Sequence, residues 1–438
     1  MRTILIGLMI LSLGGQPLAA QTVDLTELHQ LSASDGVAGD EFGSSVAVQG
    51  NLVVVGAYKG DVNDSNSGAA YVFRVEGQSG TLSEIAKLVV SDGTVNDWLG
   101  YSVAIDGDTI VVGASKAYTS NYLGRAYVYE EPEGGWAGLI AESAQLRASN
   151  RGSRDEFGHS VAIDNGTIVV GAYGEDEAGG QAGALYVFEE PLGGWNGILE
   201  EDAKLIPSFD PGNNGYLGWS VDIDGDVVVS GLHLGIVGDN DDQGRGMVFV
   251  KPESGWSGTL TETAELFASD GRRLDYLGRG VAISGATVAL GASGWEPEGS
   301  NTGNGGAVYI FEEPPGGWSG ALFESAQLLS SDPVSSEKLG FKVAMDGNTV
   351  VAATDKDGTD ARESVYVFTR PAGGWQGIIT ETQRLTDDVD GNNSYGRRVA
   401  IHGGLVVAGA QLDDGVDDDA GRAYVYVNEA VFSDSFED

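Results

Sequence analysis

The sequence predicts an all-β chain: a seven-bladed β-propeller of four-stranded antiparallel blades, its ring closed by an N-terminal strand that pairs with the last blade. Three observations predict it. An aromatic residue or Leu followed by Gly recurs seven times, at Phe42-Gly43, Leu99-Gly100, Phe157-Gly158, Leu217-Gly218, Leu277-Gly278, Leu339-Gly340 and Tyr395-Gly396, at intervals of 56 to 62 residues. From each of these glycines to the residue that closes the second apolar run (Gly56, Gly113, Gly171, Gly231, Gly291, Ala353, Gly409) the distance is always 13. A fixed spacing inside a drifting period describes a rigid hairpin carried between adjustable loops. Finally, the chain ends are complementary. Glu27-Leu28-His29-Gln30-Leu31 matches the outer strand of the other repeats but precedes the first hairpin, and the seventh repeat stops after its third strand. A strand so placed completes the last blade and removes an open edge, for which an open solenoid has no use.

The elements of one repeat follow in order. Ser102-Val103-Ala104-Ile105 reads as a first strand, Asp106-Gly107 as a tight hairpin turn, and Thr109-Ile110-Val111-Val112 as its antiparallel return. The return strands Leu52 to Val55, Ile168 to Val170 and Val227 to Val229 are continuously apolar, so they need cover on both faces, which stacked blades supply. A polar loop of variable length leads to a third strand, as in Tyr71-Val72-Phe73 or Tyr186-Val187-Phe188. Five repeats then carry a Gly-Gly-Trp or Ser-Gly-Trp turn with Trp136, Trp195, Trp256, Trp318 and Trp375, followed by an outer strand around Leu88, Leu146, Leu205, Leu266, Leu328 and Leu385. Burial of the indole against the blade accounts for a repeated Trp.

Composition limits the partners. Lys and Arg number 24 against 65 Asp and Glu, a net charge of −41, with the apolar content of a folded chain. That field repels phosphate backbones and anionic membranes and argues against a nucleic-acid partner. With no Cys, disulfides, thiol chemistry and Cys-based metal sites are excluded. Arg2, the apolar stretch Ile4 to Leu13 and Leu18-Ala19-Ala20 read as a signal peptide over residues 1–20. The repeats then occupy 21–428 and a short tail 429–438, with no segment apolar enough to span a membrane as a helix. The expectation is a monomer, secreted or held in the periplasm or at the cell surface.

Phe-Gly, then Gly-Ala, then Gly-x-x-Tyr-Val-Phe resembles the FG-GAP repeat found in the integrin α-chain propeller and in many exported bacterial proteins. The resemblance spans residues 25–428 and implies a propeller that binds a partner. Two departures stand out. The residue after Gly-Ala is Tyr58, Ser115, Tyr173, Ser293 or Gln411, never Pro. The family's calcium-binding versions insert Asp-x-Asp-x-Asp-Gly between the first two strands, where this chain has only a two-residue turn. Calcium at that position is therefore not carried over, and no metal ligand or cofactor is assigned. Acidic loops at Asp61 to Ser67, Asp239 to Asp242, Asp355 to Asp360, Asp387 to Asn393 and Asp413 to Asp419 lack a specific calcium spacing and leave room only for weak Ca2+ binding.

Chemistry-bearing motifs are few. His29, His159, His233 and His402 have no metal-ligand spacing, and neither a Gly-x-Ser-x-Gly elbow nor a phosphate-cradling loop is present. Asp40/Glu41 and Asp155/Glu156 recur at one repeat position and read as turn chemistry. The functional signal lies where otherwise constant repeats disagree. The residue after each Phe-Gly is Ser44, Tyr101, His159, Trp219, Arg279, Phe341 and Arg397, and the fourth repeat also places His233 after its Gly-Leu. If each Gly marks the loop face, these side chains ring one mouth of the central channel. Tyr101, His159, Trp219, His233, Arg279, Phe341 and Arg397 are thus the candidate ligand-binding residues, and no residue is assigned as catalytic. The expected function is a binding module for a protein or glycan ligand. The alternative is a lyase or hydrolase on extracellular polysaccharide built in the same mouth. Hydrogen-bonded convergence of basic, His and Tyr groups would favour the enzyme, and its absence would favour binding.

Overall fold

In the computed structural model the chain is described from residue 24 to 428, except for residues 63, 77–80, 118–121, 212–213, 298–302, 335, 356–362, 387–393 and 415–417. The residues read as a signal peptide, the tail, the acidic loop at 387–393 and all but the first residue of the acidic stretch 355–360 lie outside the described residues. Seven mostly antiparallel sheets follow one another around a ring, and the strand Leu25–Leu31 pairs antiparallel with Arg422–Asn428, so this strand supplies the outer edge of blade 7. Among the described residues no helix is long and apolar enough to cross a membrane.

The four-stranded antiparallel unit is present in every blade, and blades 1 to 5 each carry a fifth strand in addition. The segment after each Trp turn, such as Gly138–Ala141, crosses to the preceding blade and pairs parallel with that blade's outer strand, Ala86 opposite Gly138 and Leu88 opposite Ile140. Its return makes the outer strand of its own blade, so neighbouring repeats are interlaced. A Ser just past the outer strand donates both its backbone N–H and its hydroxyl to a Glu in the following repeat: Ser91 to Glu142 at 2.9 and 2.6 Å, Ser149 to Glu201 at 2.9 and 2.7 Å. The same staple holds Ser34 to Glu84, Ser208 to Glu262, Ser269 to Glu324 and Ser331 to Glu381.

The core lies between blades rather than within them. One cluster joins Val54, Val72 and Leu88 of blade 1 to Ile110, Val112 and Tyr129 of blade 2, with Trp136 wedged among them at 2% exposure. This is why the return strands are apolar on both faces. All five turn tryptophans are buried in such clusters and their indole N–H groups find no hydrogen-bond partner, so they serve packing.

Glycine at two positions permits this closeness. The Gly of each Phe-Gly has φ between +74° and +92°, open to glycine at little cost. The Gly of each Gly-Ala lies against the next blade: a Cβ on Gly56, Gly113, Gly171, Gly231, Gly291 or Gly409 would collide with the carbonyl of Gly100, Gly158, Gly218, Gly278, Gly340 or Gly43. The sixth repeat breaks the rule twice, with Ala353 and Glu363 where other repeats have Gly. Six blade junctions carry a further bridge, such as Gly68 to Leu99 or Gly421 to Phe42, and among the described residues the junction of blades 6 and 7 does not. There a Cβ on Gly396 would meet the side chain of Val365 rather than a backbone carbonyl.

Candidate ligand-binding mouth of the central channel

The loops after the second and fourth strands meet on one face, where the Asn96 N–H donates to the Ser65 carbonyl and the Asn66 side-chain amide donates to Asn96 Oδ1. The hairpin turns lie on the other face, where Asn165, Gly225 and Gly403 donate backbone N–H to Asp106, Asp164 and Asp346 of a neighbouring blade. At the loop face an Asp before the rim residue turns the chain in four repeats: Asp40, Asp97, Asp155 and Asp275 accept the N–H of Val37, Thr94, Gly152 and Arg272 at 2.6–2.9 Å. This is the turn chemistry expected of Asp40 and Asp155. The next residue is left-handed in all seven repeats, φ +52° to +61°, which lifts Glu41, Trp98, Glu156, Tyr216, Tyr276, Lys338 and Ser394 onto the rim.

The register argument places the candidate residues side by side. Tyr101 meets His159 with ring centroids 5.0 Å apart, and His159 meets Trp219 at 4.5 Å. The Arg279 guanidinium lies 5.4 Å from the Trp219 ring and 4.7 Å from that of Phe341, and Arg397 lies 5.5 Å from Phe341. His233 joins the same group, 5.2 Å from Trp219. Ser44 alone stands apart, its hydroxyl donating to the Gly56 carbonyl at 3.1 Å.

Sequence reasoning missed the second tier of rings. Tyr58, Trp98, Tyr173 and Tyr216 extend the group into one continuous aromatic surface over blades 1 to 4, with Tyr58 to Trp98 at 5.0 Å, Tyr58 to Tyr101 at 5.5 Å and Tyr173 to Trp219 at 5.1 Å. The two lysines on this side are neutralised, Lys59 by Glu41 and Lys116 by Glu156. Blades 5 to 7 present a different surface. There Arg397 pairs with Asp355 at 2.7 Å, Lys338 lies 4.0 Å from the same carboxylate, and Arg279 forms no ion pair with a described residue. Several acids of the described loops are committed locally: Asp61 accepts the N–H of Asn66, Asp241 lies 3.7 Å from Arg273, and Asp413 accepts the hydroxyl of Tyr424.

Below the rim opens a cavity of about 310 Å³, lined by the first strands of the blades. One residue past the candidate ring the sequence reads Ser45, Ser102, Ser160, Ser220, Gly280, Lys342 and Arg398; two further on it reads Ala six times and Asp222 once. The same register count, carried further, would have found these exceptions. Ser45, Ser102 and Ser160 donate to the Gly100, Gly158 and Gly218 carbonyls at 2.7–2.9 Å and weld blades 1 to 4 together. Lys342 and Arg398 take that place in blades 6 and 7 and line the cavity instead. Burial, reinforced by Arg398 and Arg279, pushes the Lys342 ammonium down to about 7. Burial raises the Asp222 carboxyl to about 7, although it accepts the N–H of Ile223 and Ile283 at 3.0 and 2.8 Å.

Burial and the cations Lys342 and Arg398 also hold His159 well below its ordinary value, and burial with Arg279 does so for His233. Both imidazoles are neutral near pH 7. Their Nδ1 atoms are buried without a hydrogen-bond partner, and neither ring is hydrogen-bonded to a described carboxylate, hydroxyl or cation. The convergence is one of rings packed at tilted angles, 48° between Tyr101 and His159 and 42° between His159 and Trp219, and the hydrogen-bonded cluster that would favour an enzyme is not seen among the described residues.

Comparison with known proteins agrees with the fold. No curated protein matches the sequence. The structure is similar to the WD40 β-propeller domain of Doa1, with a TM-score of 0.51 at 10% identity over 92% of this chain and 96% of that one. It also resembles a chain of the mitotic checkpoint complex, with a TM-score of 0.50 at 9% identity over 97% and 98%. At such identities the likeness is one of fold alone. The FG-GAP repeat model matches residues 25–73, 82–129, 140–188, 260–311, 322–368 and 379–426, leaving out the fourth repeat, which carries Trp219, Asp222 and His233. With six matches covering most of the ring, the chain belongs to the FG-GAP repeat family.

Proposed function

We propose that this protein is an exported binding module whose ligand, a glycan or a protein, is captured at the loop-face mouth of the channel by Tyr101, His159, Trp219, His233, Arg279, Phe341 and Arg397. Membership of a repeat family typical of exported proteins supports the export, and the signal-like residues 1–20 agree with it. The observation that carries the binding reading is the uninterrupted run of ring and guanidinium contacts from Tyr101 to Arg397 around the mouth. Large amphipathic rings gathered at the opening of a cavity offer flat faces for stacking, and guanidinium groups beside them offer forked donors.

The test is a glycan and surface-protein binding screen on the mature chain, repeated with Trp219→Ala/Arg279→Ala. The double variant is expected to lose binding to every ligand the screen finds while keeping its melting temperature within a few degrees, because neither residue belongs to the repeat framework. Normal binding by the double variant would move the site elsewhere, and unfolding would show that these residues pack rather than bind.

A further inference from the structure

The protein carries 65 acidic residues, yet one wall of its channel is cationic. Lys342 and Arg398 line the cavity directly beneath the rim, and Arg279 stands above them against Trp219 and Phe341. The carboxylates near them are engaged elsewhere. Asp222, the acid among the lining residues, directs its two oxygens to the backbone N–H groups of Ile223 and Ile283, while Asp355 pairs with Arg397 at the rim. The Lys342 ammonium makes neither an ion pair nor a hydrogen bond with a described residue, its backbone carbonyl alone accepting the Ala353 N–H, and the buried Nε of Arg279 has no partner among the described residues. Arg398 donates one N–H to the Arg397 carbonyl at 3.2 Å and keeps the rest of its fork.

Partly buried like charges left without a counter-ion disfavour the empty state, and they favour an anion that enters. In blades 1 to 3 the same sequence position holds a Ser that bonds the next blade, so the two cations replace a structural bond and do not supply one. We propose that the channel below the mouth is an oxyanion seat formed by Lys342, Arg398 and Arg279, and that the ligand is an acidic saccharide stacked on the aromatic half with its carboxylate in this seat. The inference rests on the mouth being the binding site. The depressed Lys342 ammonium fits it, since an incoming carboxylate would restore that charge. The geometry fits as well: a sugar ring lying on Trp219 has the Arg279 guanidinium 5.4 Å from the same indole.

The experiment is calorimetric titration of the mature chain with oligomers of a uronic acid, with their neutral counterparts and with inorganic sulfate as a competitor. The uronate is expected to bind about tenfold or more tightly than the neutral sugar, to lose that advantage in Lys342→Met and in Arg398→Gln, and to be displaced by sulfate. Equal affinity for the two sugars, or unchanged uronate binding in the folded variants, overturns the seat. Should both variants fail to fold, the unaltered protein still decides: uronate binding that sulfate does not compete also overturns it. If uronates fail to bind but sulfate alone does so saturably, the carboxylate assignment falls in favour of a sulfated ligand. Trp219→Ala separates the two levels of the argument. A screened ligand lost by Trp219→Ala but retained by Lys342→Met leaves the mouth standing without the seat, and retention by both removes both.

Discussion

Blades 1 to 4 and blades 5 to 7 are built from one repeat and make opposite halves of one mouth. In the first half the residues facing the opening are rings packed on rings, the two lysines are matched by Glu41 and Glu156, and Ser hydroxyls bond across the blade junctions. In the second half the equivalent places hold Arg279, Arg397, Lys342 and Arg398, of which Arg397 pairs with Asp355, and the junction of blades 6 and 7 lacks both glycines that the other repeats carry there. The framework fixes where side chains point, so exchanging side chains at three sequence positions is enough to divide the mouth into a stacking wall and a charged wall. A ligand with a flat face and an anionic group would touch both.

Removing the strand that closes the weaker half should have the largest effect. Deleting residues 21–34 takes away the outer strand of blade 7 and the Ser34 staple to Glu84. The melting temperature is expected to fall by more than about ten degrees and the protein to associate through the exposed edge. A monodisperse protein with unchanged melting would show that the ring closes by other means.

The two kinds of junction can be compared directly. Gly171→Ala drives a Cβ into the Gly218 carbonyl and should cost roughly 1–3 kcal/mol. Ala353→Gly, at the junction that already holds a methyl group, should cost only about 0.5–1 kcal/mol. Denaturant midpoints measure both, and equal losses would mean that the blades 6 and 7 junction is packed like the rest.

The channel acid gives a pH signature. The folded Asp222 carboxyl titrates near 7 and the unfolded one near its usual value of 3.8, so folding retains a proton that the unfolded chain releases. Its contribution to stability therefore falls as pH rises through that window, and the penalty is complete above about 7. Lys342 acts in the opposite direction at higher pH: its penalty is full below about 7 and is relieved as the unfolded lysine approaches deprotonation. Asp222→Asn should flatten the decline between about pH 4 and 7 by of the order of 1 kcal/mol, a figure kept small because the group borders the open channel. Parallel stability curves for the two proteins would place Asp222 in a more solvated setting.

Calcium should have the smallest effect. Asp61 and Asp413 of the described loops are bonded to neighbouring backbone and side chains and the acidic loops lack a calcium spacing, so a chelator is expected to shift the melting temperature by no more than about a degree. A drop of many degrees that calcium reverses would reveal true sites in the acidic loops.

The sequence alone determined the number of blades, the hairpin of each, the closing strand and the positions that face the mouth. All of these follow from short-range periodicity: a turn every repeat, a glycine at a fixed offset, and apolar runs that need cover on both faces. It also identified Tyr101, His159, Trp219, His233, Arg279, Phe341 and Arg397 as a group, because a variable position in a constant register must lie at one level of the ring. Tertiary structure decided the rest. That Gly138–Ala141 crosses to the preceding blade depends on a pairing partner far away in sequence, which local pattern does not encode. The second tier of rings depends on left-handed turns that lift Trp98 and Tyr216 to the rim. The charged wall depends on which carboxylates are already engaged: Lys342, Arg398 and Asp222 are unremarkable letters in an acidic sequence, and only the closed ring brings the two cations together while turning the acid toward backbone N–H groups.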